Sequence, residues 1–565
     1  MKKLVSMTLS VAMLLSLAAC SKPAEPTTTA DGTYTGTGKG FGGMVTVTVT
    51  QEGGKITKVE ATGDNETKGI GDKAIAELPA KIVEANSPDV DVISGATVTS
   101  EAVIYAVKNA LDPTTYPAPT EEAKETKDPN AVTAASVYQG VGTSNLHRVG
   151  PGKDDTETQV YSINQVFANV LFDEDGKILN IHIDQLEVAT PNYDGEGMPH
   201  FSGFPGQGGY NNDENHDEKV DGKTADTEDN FVAEVSSWAT KRERGDAYRM
   251  GTGTWSEQMD KFEEVFTGKT VDEIVKWFSK YTSSINGRPL KDGTDKAVDQ
   301  SKYDNLSDED KAMLADVTSS ATMSLNDSHG NIIQAIRNAY ENRVALDIEA
   351  AKAQGFGLVN TPRLGPGKDD TDTRVYSINQ VFANTLFDEN GKIIALYVDT
   401  LEVATPNYDG DGMPHFSGFP GQSYNNDENH DGVVDGKIEQ SEATFQKELA
   451  SWATKRERGD AYRMGAGTWY SQMDKFQEIF VGKTVEEVQE WAKKYTSDLN
   501  GRPLKDGSDK PEDKAKYDAL TDDEKAMLAD VTSSATMSVN DPHGDIISAI
   551  VKSFENRVDI DLTVK

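Results

Sequence analysis

Asp91-Val92-Ile93-Ser94-Gly95-Ala96-Thr97 recurs as Asp316-Val317-Thr318-Ser319-Ser320-Ala321-Thr322, and again as Asp530-Val531-Thr532-Ser533-Ser534-Ala535-Thr536. In each copy an aspartate stands six residues before a threonine, and an apolar stretch with helical spacing follows. After Thr97 that stretch is Val103, Ile104, Val107 and Leu111, with Thr99 or Ser100 placed to cap it. The spacing puts Thr97 at or just before a helix N-terminus, where unpaired N–H groups and the positive dipole end favour a phosphate. Gly95 and Ala96 are small enough to let the backbone come close to such a group. In the later copies Ser320 and Ser534 replace Gly95, and the apolar run begins about one helical turn later, from Ile332 and from Ile546.

Upstream of the first motif, Met44 to Thr50 alternates with period two and reads as a half-buried strand. Glu52-Gly53-Gly54-Lys55 is a turn, Ile56 to Ala61 a second strand, and Ala74 to Ala85 a helix. The rest of the chain is an internal duplication: Gly140 to Ile348 aligns with Gly355 to Leu562. Each long copy holds its own hairpin, in the first copy Val166 to Phe172, a turn at Asp173–Lys177, and Ile178 to Ile183. The expected fold is α+β, in three domains, each a small antiparallel sheet packed against helices. The second and third are a tandem duplication with insertions between hairpin and motif. The expected boundaries are a signal peptide at 1–19, a tether at 20–30, a first domain at 31–111, a linker at 112–134, and repeats at 135–350 and 351–565.

The N-terminus reads as an export signal. Lys2 and Lys3 precede an apolar run, Leu4 to Leu17, too short for a spanning helix. Its ending, Leu17-Ala18-Ala19-Cys20, resembles a bacterial lipobox, which implies cleavage before Cys20 and lipid on its thiol. Two or more acyl chains give stable anchoring, so the expected location is the extracytoplasmic face of the cell membrane. Cys20 is the only cysteine, which excludes an internal disulfide, a Cys-x-x-Cys-His haem site and a cysteine-ligated iron–sulfur cluster. A formal charge of -38 argues against a nucleic-acid partner, because phosphate backbones require a basic surface.

The first domain resembles the FMN-binding domain family, whose members include the flavin-carrying subunit of the sodium-pumping NADH:quinone reductase and flavinylated extracytosolic lipoproteins. The resemblance covers Gly32 to Leu111. It begins with Gly-Thr-Tyr-Thr-Gly-Thr-Gly-Lys-Gly-Phe-Gly-Gly at Gly32–Gly43 and ends with the first motif. It implies that a flavin transferase joins FMN to Thr97 through a phosphoester. Ser94, Gly95 and Ala96 would then lie against the phosphate, and Asp91 would serve attachment. By the same resemblance Thr322 with Asp316, and Thr536 with Asp530, are candidate attachment sites. The function implied is electron transfer from a membrane quinone- or NADH-linked donor to an extracellular acceptor. A second reading is a ligand- or cation-binding surface lipoprotein with flavin on the first domain only, or absent.

Three other features carry chemistry. Asp427, Asn429, Asp431 and Asp435 have the alternate spacing of oxygen ligands in a Ca²⁺ loop, although Ile438 stands where such a loop needs a glutamate. Phe201, Phe204, Phe416 and Phe419, in two glycine-rich loops, could stack on a flavin ring with His200 or His415 touching it, or could pack within their own domains. The run Lys241 to Arg249, repeated at Lys455 to Arg463, reads as a solvated face, or as a contact for flavin phosphate or a partner.

Overall fold

The computed structural model describes residues 31–40, 44–63, 71–90, 92–93, 96–118, 131–193, 195, 197–212, 217–408, 410, 412–426 and 431–565. Mixed α+β structure with small antiparallel sheets is observed, and fourteen α-helices lie among the described residues. The chain divides into two compact units, 1–127 and 128–565.

In the first unit, strands Gly32–Lys39, Met44–Glu52 and Lys55–Thr62 form an antiparallel sheet in that order. The alternating stretch behaves as its period requires: Val45, Val47 and Val49 are fully buried. They meet Ala74, Leu78 and Ile82 of helix α1 (Gly71–Ala85) and Ala102, Val103, Ala106 and Val107 of helix α2 (Thr97–Leu111). The first part of the glycine-rich opening, Gly32–Lys39, is itself a strand, and α2 lies directly on it. A Cβ at Gly36 would overlap the carbonyl oxygen of Ala106, and one at Gly38 that of Ala102.

The same contact recurs twice in the second unit. Gly140 and Gly142, on strand Val137–Lys153, lie under Ala339 and Ala335 of helix Ile332–Glu341. Gly355 and Gly357, on strand Ala350–Arg363, lie under Ser553 and Ala549 of helix Ile546–Glu555.

The two long copies are not separate domains as expected; both lie in the second unit and share a core. Strand Gln159–Phe172 explains why. Val166, Ala168, Val170 and Phe172 face the helices of their own copy. Tyr161, Ile163 and Phe167 face the other copy, with the Phe167 ring centroid 5.5 Å from those of both Phe356 and Phe382. Contacts across this seam are reciprocal, as in an isologous pair. Gln165 and Gln380 exchange amide hydrogen bonds of 2.8 Å. The Gln207 amide donates to Ser417 O at 2.7 Å and that of Gln422 to Ser202 O at 2.8 Å. Tyr161 donates to Glu442 and Tyr376 to Glu228.

One segment assigned to the linker belongs to the fold. Ala131–Ala134 pairs in parallel with Val558–Val564, at the outer edge of the second copy's sheet. The sequence gives it no hairpin partner, so only the tertiary structure reveals it.

Gly142→Ala forces the helix off its strand and is expected to cost about 1–3 kcal/mol. Gly222→Ala, where an added methyl meets nothing, should change stability by less than about 0.5 kcal/mol. The midpoints of urea unfolding check both.

Candidate functional site

Thr97 is the first residue of α2, and its N-cap Ala96 makes no side-chain capping bond. Thr99 and Ser100, expected as caps, lie within the helix instead. The Ser100 hydroxyl accepts the N–H of Ile93 at 3.0 Å and ties the motif loop to the first turn. Ala96 is buried, with its N–H donating to Ile93 O at 3.0 Å. Asp91, Ser94 and Gly95 lie outside the described residues, as does Cys20. The unit thus presents a helix start whose dipole no side chain at the N-cap offsets, next to a threonine.

The two later motifs sit differently. Helix Asp308–Ser320, opened by a capping box at Ser307 and Asp310, runs through Asp316 and ends just before Thr322. Thr322 therefore follows a helix C-terminus, ten residues before the helix that packs on the glycine strand. Thr536 follows helix Asp522–Ser534 in the same way. The expected insertion of one turn is larger: Thr97 stands nine residues before Ala106, but Thr322 stands seventeen before its counterpart Ala339. The helices that do match α2 carry side-chain caps, Asn331 accepting from Gln334 N and Asp545 from Ser548 N, each at 2.9 Å.

The surroundings of these threonines are packed. Thr322 N donates to the buried Gln258 Oε1 at 3.0 Å, and Thr536 N to Gln472 Oε1 at 3.0 Å. A Cβ at Gly251 would stand 3.2 Å from Thr322 Oγ1, and one at Gly465 2.8 Å from Thr536 Oγ1. Asp316 pairs with Lys261 at 2.8 Å and Asp530 with Lys475 at 3.0 Å.

The aromatic loops are core. Phe201, Phe204, Phe416 and Phe419 are buried between the copies, with Phe201 and Phe416 at 5.9 Å, so they are not open to a flavin ring. His200 and His415 have their Nε2 atoms 2.9 Å from Tyr193 O and Tyr408 O. Of the candidate Ca²⁺ ligands, Asp427 and Asn429 lie outside the described residues. Asp431 Oδ1 accepts Val433 N at 2.9 Å, and no group of three metal-ligating side chains occurs among the described residues. No helix among them is long and apolar enough to cross a membrane.

The charge run is not a solvated face at Lys241, an ion pair that sequence reasoning missed. Lys241 and Glu187 are both buried and 3.0 Å apart, and Arg148 reaches the same carboxylate at 3.2 Å. Burial raises the pKa of Glu187, but Lys241 and Arg148 outweigh it and hold the carboxyl below its ordinary value. Lys455, Glu402 and Arg363 repeat the arrangement at 3.0 and 3.1 Å. Nearby, burial pushes Asp184 up to about 6 and Asp399 up to about 7, against the pull of Arg242 and Arg456.

An α+β domain with an uncapped helix start at a threonine is the class that the first unit defines. Residues 40–112 match the FMN-binding domain family, so the first unit carries an FMN-binding domain. The chain is 36% identical to a chlorophenol reductase of Desulfitobacterium hafniense over 222 residues, 37% of this chain and 58% of that protein. That stretch is longer than the whole first unit, so the likeness includes residues of the second. It is also 41% identical over 81 residues to an NADH:acrylate oxidoreductase of Vibrio harveyi, covering 14% of this chain and 8% of the relative. Identity to a urocanate reductase of Eggerthella lenta is 35% over 105 residues, 17% of each chain. The chain thus spans little more than half of the first of these proteins and small parts of the other two.

Two predictions follow from the buried charges. Glu187→Gln leaves Lys241 and Arg148 without their carboxylate and should cost about 3–5 kcal/mol in urea unfolding. Asp399 has a raised pKa, so between about pH 4 and about 7 the folded chain binds more protons there than the unfolded one, and stability falls as pH rises. Asp399→Asn removes that loss: relative to wild type it should be more stable at about pH 8 than at about pH 5, by urea midpoints.

Proposed function

We propose that the protein is a lipid-anchored, extracytosolic electron carrier that holds FMN covalently on Thr97. The reading rests on one observation: the FMN-binding match covers the one motif threonine that begins an apolar helix, and the N-cap residue of that helix, Ala96, makes no side-chain capping bond. A phosphate on the Thr97 hydroxyl would lie at the positive end of α2 and accept its first-turn N–H groups. FMN, when bound, supplies one- and two-electron transfer, while the chain supplies position and surroundings. A flavin transferase would make the linkage, a quinone- or NADH-linked membrane donor would reduce the carrier, and an extracellular acceptor would oxidise it. The reductase names of the relatives support a redox role. Cys20 would carry the lipid.

Thr322 and Thr536 are disfavoured as further attachment points. A phosphate there would meet the negative end of a helix, at a cost of about 0.3–1 kcal/mol, and would have to displace the turn at Gly251 or Gly465. A Ca²⁺ site at Asp427, Asn429, Asp431 and Asp435 is supported by the sequence spacing alone.

Full-length protein co-produced with a flavin transferase, acid-denatured and weighed intact, should carry one FMN, on the peptide containing Thr97. Thr97→Ala should abolish it. An unmodified Thr97 peptide sinks the proposal; two or three adducts would restore Thr322 and Thr536 as sites.

A further inference from the structure

Each long copy holds a pocket that electron carriage through Thr97 does not use. In the first copy it is lined by Lys241, Tyr248, Met250, Trp255, Arg288 and His329. The second repeats it with Lys455, Tyr462, Met464, Trp469, Arg502 and His543. The empty volumes are about 460 and about 450 Å³, solvent mouths included.

The place on the fold is informative. Gly330 stands nine residues before Ala339, just as Thr97 stands nine before Ala106, and both alanines lie on the glycine strand. Gly330 and His329 line the pocket. The long copies therefore have a pocket where the first domain presents its threonine.

One carboxylate, Asp327, lines the first pocket, 3.0 Å from His329 Nδ1; the remaining charges favour cations. Lys241 and Arg148 share the single carboxylate of Glu187, and Lys455 and Arg363 share that of Glu402, all with side chains at most 11% exposed. Each triad keeps one positive charge in excess, in a chain whose formal charge is -38. Excess charge held out of water is costly and is relieved by an anion. Arg288 and Arg502 add guanidinium groups that make no hydrogen bond or ion pair with any described residue. The lining also has apolar members, Trp255 with Met250 in one pocket and Trp469 with Met464 in the other.

We propose that each pocket binds a small organic carboxylate, with its head between Lys241 and Arg288, or Lys455 and Arg502, and a short apolar body against the tryptophan and methionine. A planar guanidinium suits a carboxylate fork, and the tryptophan excludes water from the remainder. The proposal is independent of flavin attachment at Thr97.

The test is calorimetric titration of the full-length chain with sodium butyrate in a chloride buffer of fixed ionic strength. Two sites per chain are expected. Arg288→Gln and Arg502→Gln should each remove one, and the double variant should bind about tenfold more weakly or not at all. Both arginines are exposed, so thermal unfolding of the variants should match wild type, which separates lost binding from lost folding. No binding of butyrate, equal binding of inorganic phosphate, or a double variant that binds like wild type would overturn the proposal.

Discussion

A helix backbone rests directly on a strand backbone at one place in each of the three sheet-and-helix assemblies, and only glycine permits it. Gly36 and Gly38, Gly140 and Gly142, and Gly355 and Gly357 play this part. The close approach fixes the height and rotation of the helix above the sheet. It thereby fixes where the first turn of that helix opens, and with it the position of Thr97 in one domain and of Gly330 and Gly544 in the others. Without it the amphipathic helices would still bury their apolar faces, but their ends would lie elsewhere.

The second constraint is the seam between the long copies. Each sheet is buried on both faces, by its own helices on one side and by its sister sheet on the other. Such strands cannot show the clean polar alternation of a half-exposed sheet. Gln165 and Gln380 bond to each other across the seam and Gln139 Nε2 donates to the Asn384 carbonyl oxygen, so the polar residues in Asn164–Asn169 and Asn379–Asn384 are buried at an interface and do not form a solvent face.

Much of this was legible in the residues. Period two along Met44–Thr50 identified a strand, helical spacing after Thr97 identified α2, and the repeat was plain. What was not legible had physical causes. Glycines that normally weaken a strand hid the opening strand, because their role is set by a helix seventy residues away. The heptapeptide misled at its later copies because its neighbours differ. Upstream of Thr97 a helix ends at Ala85 and Pro88 follows, so the motif stays outside it. Upstream of Thr322 the helix-forming Asp308–Ala315 carries the helix through the motif. The aromatic loops could be read as cofactor contacts or as packing, because the same residues suit a ring stack and a core. The buried partners of Lys241 come from other strands, so no local pattern could announce them.

The short parallel strand Ala131–Ala134 has a mechanical meaning. It lies against the last strand of the chain, so both ends of the second unit meet at one sheet edge. The last strand is thereby covered, and the free edge of the sheet is the four-residue strand itself, too short to be a good template for pairing with another molecule. Any tension along the segment before Ala131 loads this four-residue strand first, held by few hydrogen bonds. It would peel away before the rest of the sheet is strained, exposing the last strand while the duplicated core stays intact.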